Sequence, residues 1–225
     1  MDAIINFFKY NFFVFEIMFC FIPYIPLLKT DKHTWWKALV SALVVVGISA
    51  LPLAFGLTTK SVGSSIVSTL TFLMLFALIL VGVKLSFRSD IWTCTFCAIS
   101  AYLTQHIFFR LRMFTNILLA RQGIDIKWLN YLYYWGELLL VDLLCWLFYS
   151  RRLQKQGSFK INNKRLIVVS LVSLVVVNFL NSISMFYSFS MELVPMLAFY
   201  LYALLDCIIL LYCLYENIYV KSIED

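Results

Sequence analysis

The stretch Ser65–Val83, SIVSTLTFLMLFALILVGV, carries neither a charged side chain nor a proline over nearly the length an α-helix needs to cross a bilayer. A hydrocarbon core about 30 Å thick requires roughly 20 apolar residues of helix at 1.5 Å per residue. Six more such runs lie on either side of it. Together they predict helices at Ile5–Leu28, Lys37–Leu57, Ser65–Leu85, Ile91–Leu119, Trp128–Tyr149, Leu166–Tyr187 and Leu193–Tyr219. Transmembrane strands are excluded, because they would be roughly ten residues of alternating polarity and these runs are longer and continuously apolar. With 63% hydrophobic and only 13% charged residues and a mean hydropathy of +0.89, a soluble domain would lack the core volume to hide its apolar surface. The expectation is an all-α integral membrane protein, one transmembrane domain over residues 1–225, seven helices passing repeatedly through the plasma membrane. The first run follows Met1-Asp2-Ala3 with no basic segment before it and no small-residue cleavage pattern after it, so it reads as a retained helix.

Orientation follows from the 18 Lys and Arg. Lys29, Lys32 and Lys37 lie between the first two helices, Lys84 and Arg88 between the third and fourth, and Arg151, Arg152, Lys155, Lys160, Lys164 and Arg165 between the fifth and sixth. The even links hold only Lys60, then Arg121 and Lys127, then none. The positive-inside bias therefore predicts cytoplasmic odd links, an amino terminus outside and a carboxyl terminus in the cytoplasm. The +6 net charge is absorbed by this asymmetry: the bilayer is the partner of the basic links, and no nucleic acid is expected. The longest polar stretch, Ser150–Lys164, is too short to fold alone. Pro52 is expected to kink the second helix, and no internal repeat is visible.

The six cysteines, at 20, 94, 97, 145, 207 and 213, sit within or at the edge of apolar helices, where cysteine behaves as a small hydrophobe. Cys94 and Cys97 have C-x-x-C spacing, but metal binding needs about four ligands and no second pair accompanies them. No metal and no cofactor are expected. Cys97 and His106, the obvious pair for a membrane cysteine hydrolase, are nine residues apart on one helix, which places them on opposite faces and about 13 Å apart along the axis. No catalytic residue is assigned and the chain is not expected to be an enzyme.

Ionisable groups inside the spans carry more weight, because each costs about 2.5–3.5 kcal/mol at mid-bilayer on insertion scales. They and their polar neighbours are Glu16, Gln105, His106, Arg110, Arg112, Glu137, Asp142, Asn178, Asn181 and Asp206. His106 and Arg110 are i and i+4, and Glu16 and Glu137 lie within about 10 Å of them in depth. The sequence thus predicts a polar cluster of Gln105, His106, Arg110, Glu16 and Glu137 in which a cationic face of the fourth helix meets two carboxylates. Such a cluster serves either as a ligand site or as interhelical glue.

The fourth helix reads Cys94-Thr95-Phe96-Cys97-Ala98-Ile99-Ser100-Ala101-Tyr102-Leu103-Thr104-Gln105-His106. Its small residues, Tyr and then Gln-His resemble the fourth helix of the membrane sensor region of GHKL-type histidine kinases, the peptide-pheromone or quorum-sensing receptors of Gram-positive bacteria, although Ser100 stands where a Gly is expected. Pro23, Pro26, Lys29 and Lys32 are also similar to the early proline and following basic residues of that group. Its members continue into a dimerisation helix with a phosphoacceptor histidine and an ATP-binding domain. This chain ends at Asp225, has only His33 and His106, and shows no Gly-rich nucleotide lid, so it is not expected to act as a kinase itself. The resemblance implies a sensor for an extracellular ligand, a small peptide, which signals through the last helix to a cytoplasmic kinase or other effector in a two-component system. A second copy of the chain is a further partner in keeping with that group. Tyr212, Tyr215 and Tyr219 recur at helical spacing, as in an aromatic belt anchoring a helix that continues into the cytoplasm. The alternative is a small transporter or immunity-type membrane protein that uses the polar cluster as a substrate or proton path.

Overall fold

The computed structural model describes residues 2–49, 62–121, 127–154, 164–187 and 193–224. Among them there is no strand, and seven long helices account for the architecture. They are α1 (Asp2–Phe21), α2 (Thr34–Ser49), α3 (Val62–Ser86), α4 (Ile91–Arg121), α5 (Lys127–Cys145), α6 (Lys164–Tyr187) and α7 (Leu193–Glu224). The seven apolar runs read from the sequence thus map one to one onto helices. Pro52 and the expected end of the second helix at Leu57 lie outside the described residues.

Three departures from regular helix have local causes. The first run was expected to continue to Leu28, but from Ile22 to Leu27 it tightens into a 3-10 helix holding Pro23 and Pro26. Proline has no N–H to give to the α-helical ladder and its ring crowds the preceding turn, so the chain leaves the α geometry there. The fifth helix runs past its expected end at Tyr149 through a π turn, Trp146–Ser150, into a last α turn, Arg151–Gln154. The π turn packs on the 3-10 segment of α1. The start of α4 is fixed by Asp90, whose carboxylate accepts the Thr93 backbone N–H at 3.0 Å and the Thr93 hydroxyl at 2.7 Å.

α4 is the hub. Every residue from Phe96 to Phe108 is buried, so the helix is covered on all sides. It packs on α1, α3, α5, α6 and α7, with α7 its most extensive partner, while α2 packs on α3 and α1. Aromatic pairs hold this interior together: Phe13 with Phe72 at 4.6 Å between ring centroids, and Phe76 with Tyr102 at 4.7 Å. The other helices turn large apolar side chains outward, among them Leu43 and Val44 of α2, Leu139 and Leu143 of α5, and Leu205 and Ile209 of α7. Exposed apolar surface of this extent is what a membrane or a partner protein would cover. Among the described residues, three helices are long and apolar enough to cross a membrane, at Thr69–Ser86, Tyr131–Gln154 and Leu193–Glu216. α4 is longer, but its polar residues keep it out of that group.

Candidate functional site

Successive residues of a helix point about 100° apart, so residues seven apart return to one face. Cys97, Thr104, Gln105 and Arg112 share such a face of α4, which looks toward α1 and α5. The Gln105 amide donates to Glu16 Oε2 at 2.7 Å, and the Tyr134 hydroxyl donates to Glu16 Oε1 at 2.8 Å. One carboxylate therefore joins α1, α4 and α5. Arg112 approaches Glu137 of α5 at 3.6 Å, both side chains largely buried, and its guanidinium lies 5.9 Å from the centre of the Tyr134 ring.

The same seam continues toward the 3-10 segment as a line of polar groups. The Cys20 thiol lies against the Asp142 carboxylate. Farther on, the Thr104 hydroxyl donates to the Ser100 carbonyl at 2.8 Å, accepts from the buried Tyr24 hydroxyl at 2.9 Å, and stands 3.5 Å from Cys145 Sγ. Cys97 Sγ points at the Tyr24 carbonyl, 3.9 Å away. The Tyr24–Thr104 hydrogen bond offsets part of the cost of burying these groups between helices.

A second face of α4 carries Tyr102, His106 and Arg110. The Tyr102 hydroxyl donates to Asn178 of α6 at 3.3 Å, and its ring meets that of His106 edge-on at 4.4 Å. Arg110 is 1% exposed. Its guanidinium carbon lies 5.8 Å from the ring centres of both Phe199 and Tyr200 of α7 and 5.5 Å from that of Phe109, within cation–π range.

The expected cluster is thus divided. Its five residues are all present near α4, but the cation facing Glu137 is Arg112, and the group on Glu16 is Gln105. His106 and Arg110, expected against those carboxylates, point instead toward Tyr102 and toward α7. The i, i+4 spacing put His106 and Arg110 on one face correctly; what it left open was which face of α4 turns to α1, and one residue of rotation changes the answer by 100°. Tyr134, Tyr24, Thr104 and the Cys20–Asp142 contact were not read from the sequence at all. The seven-residue intervals from Cys97 to Thr104 and from Gln105 to Arg112 mark the true face. Cys97 and His106 do lie on opposite sides of α4, the first against α1 and the second against Tyr102. Cys94 Sγ lies 3.8 Å from the Ser89 carbonyl, and among the described residues no group of three His, Cys, Asp or Glu side chains is placed to hold a metal ion.

At the end of the bundle where α1 leads into α2, a separate charged patch is tied together. The Arg88 backbone N–H donates to the Lys29 carbonyl at 2.9 Å, and the Lys29 N–H donates to Ser89 Oγ at 2.7 Å, joining the α1–α2 and α3–α4 links. Asp31 Oδ2 receives Lys37 Nζ at 2.9 Å and Arg88 Nε at 3.1 Å. The Lys37 hydrogen bond, followed by that from the His33 backbone, holds the Asp31 carboxyl well below the usual carboxylate range. Lys84 Nζ reaches the Ser89 carbonyl at 2.7 Å.

No protein-family model, curated protein or solved structure matches the chain.

Proposed function

We propose that this chain is a multi-pass plasma-membrane sensor module, with its amino terminus outside, which receives an extracellular peptide and passes the signal through α7 to a cytoplasmic kinase or other effector. One observation carries the proposal. α4 holds Glu16 and Glu137 through Gln105 and Arg112 on one face, and on the other buries Arg110 against Phe199 and Tyr200 of α7. A displacement of α1 or α5 against α4 therefore reaches α7 through one rigid element, which is what a two-state helix-packing switch requires. The Lys and Arg asymmetry of the links supports the orientation. The Cys94–His106 stretch, similar to the fourth helix of GHKL-type sensor regions, supports the function. A transporter reading would draw on the two carboxylates Glu16 and Asp142 in the α1–α5 seam.

The test fuses a histidine-kinase core after Asp225 and inserts one to four residues at the junction. An output helix gives phosphorylation that rises and falls with a period near 3.6 insertions, and Arg110→Ala shifts that output. Output that ignores both the insertions and Arg110→Ala would remove α7 from the signal path, and labels at Ser158 reacting from outside would reverse the orientation.

A further inference from the structure

α1, α2 and α3 enclose an apolar crevice of about 460 Å³ that is open to the side. Its walls include Val14 and Ile22 of the α1 segment, Trp35 and Ala42 of α2, and Ile79 and Val83 of α3. On α2 the lining runs from Trp35 to Val45. Ten residues of helix rise about 15 Å, half of a hydrocarbon core about 30 Å thick, so the crevice is one leaflet deep. At one end its lining reaches Trp35, Ser86 and Phe87, beside the joined links that carry Lys29, Lys32, Lys37, Lys84 and Arg88. Against these five cations the two links hold Asp31, engaged by Lys37 and Arg88, and Asp90, engaged in capping α4. Arg88 keeps 75% of its side chain exposed and Lys37 keeps 44%, so both retain donors for another anion. Trp35, at this end of the lining and 65% exposed, is the residue type that settles at headgroup level.

From an acyl-length apolar slot ending at an excess of positive charge, we propose that this crevice binds an anionic phospholipid. One acyl chain lies between α1, α2 and α3, and the phosphate headgroup sits on the cations of the two links. A headgroup with its own ammonium would bring a positive charge to a surface already short of anions, so the site discriminates by net charge. In the orientation proposed above the links face the cytoplasmic leaflet, where anionic lipids concentrate. The proposal needs the chain in a membrane but does not depend on what, if anything, the chain senses.

The experiment presents the purified full chain in detergent with equal amounts of phosphatidylglycerol and phosphatidylcholine of identical acyl chains, and counts retained lipid by native mass spectrometry. Each engaged cation contributes about a fivefold preference, so two or more favour phosphatidylglycerol by about 25-fold or greater. Lys32→Gln and Arg88→Gln each reduce that preference. Ala42→Trp, which fills the slot, abolishes retention, whereas Leu43→Trp on the exposed side of α2 leaves it unchanged. If Ala42→Trp does not purify as a folded protein, Ala38→Leu, also in the lining, gives the same reading. Equal retention of the two lipids would overturn the proposal. So would undiminished phosphatidylglycerol on the filled variants, or a second copy of the chain that lipid fails to displace.

Discussion

At Glu16 a single side chain holds three helices, and the residues around it show how finely helix rotation decides pairing. Gln105 and Tyr134 each give the carboxylate one hydrogen bond, and interhelical bonds of this kind in membranes average about 0.6 kcal/mol. The Arg112–Glu137 contact is a different case, because both members are charged and mostly covered. Removing one leaves the other without its counter-charge, so Arg112→Ala and Glu137→Ala are each expected to destabilise the protein more than half as much as the double replacement does. The coupling should fall within about 0.5–3 kcal/mol in a double-mutant cycle read by thermal unfolding in detergent. The cycle of Arg110→Ala with Glu137→Ala should be additive, since Arg110 turns to α7. A coupled Arg110–Glu137 pair with additive Arg112–Glu137 would mean that α4 is rotated by about half a turn relative to this structure. At this scale the sequence was half legible: it brought Gln105, Glu16 and Glu137 to one seam, but it named His106 and Arg110 where Arg112 stands, because it could not choose between faces of a helix that carries polar residues on more than one side.

At the scale of elements, continuity of the apolar runs was enough to position the helices, because burying an unpaired backbone among apolar side chains costs more than any side-chain preference. What escaped was the irregular backbone. The prolines were visible, yet nothing in the run Trp146–Ser150 announces a π turn, which packs on the 3-10 segment that follows α1. Glycine positions also mean different things on different helices. A Cβ added at Gly82 of α3 would stand 3.0 Å from Ser41 Cβ of α2, closer than side chains normally pack, while one at Gly136 of α5 would meet nothing within 4 Å. Gly136→Ala should therefore stabilise the protein by up to about 1 kcal/mol through helix propensity alone. Gly82→Leu should cost about 1–3 kcal/mol by forcing α2 from α3. Melting temperatures of the two variants check this, and a Gly82→Leu protein as stable as the parent would mean that α2 is not seated on α3.

Over the whole molecule the order of burial inverts the order of hydrophobicity: the most enclosed helix, α4, is the one that carries Gln105, His106, Arg110 and Arg112, and its more apolar neighbours form the shell. The all-helical architecture was legible because it depends only on segment length and apolarity. The hub position of α4 was not, since it depends on which polar residues find partners. That arrangement constrains how the protein can be made. Two arginines in one segment, each costing up to about 2.5–3.5 kcal/mol at the bilayer centre, favour insertion of α4 in the company of its partners over insertion alone. α3, synthesised just before it, supplies an apolar wall, and α5, synthesised just after, brings Glu137 and Tyr134 to its polar face. A nascent chain stopped at Arg121 should leave a cysteine at Thr115 open to a water-soluble label, and one extended to Gln154 should protect it. The hub would then be the last of the three to become a membrane helix, recruited into the bilayer by the partners that surround it.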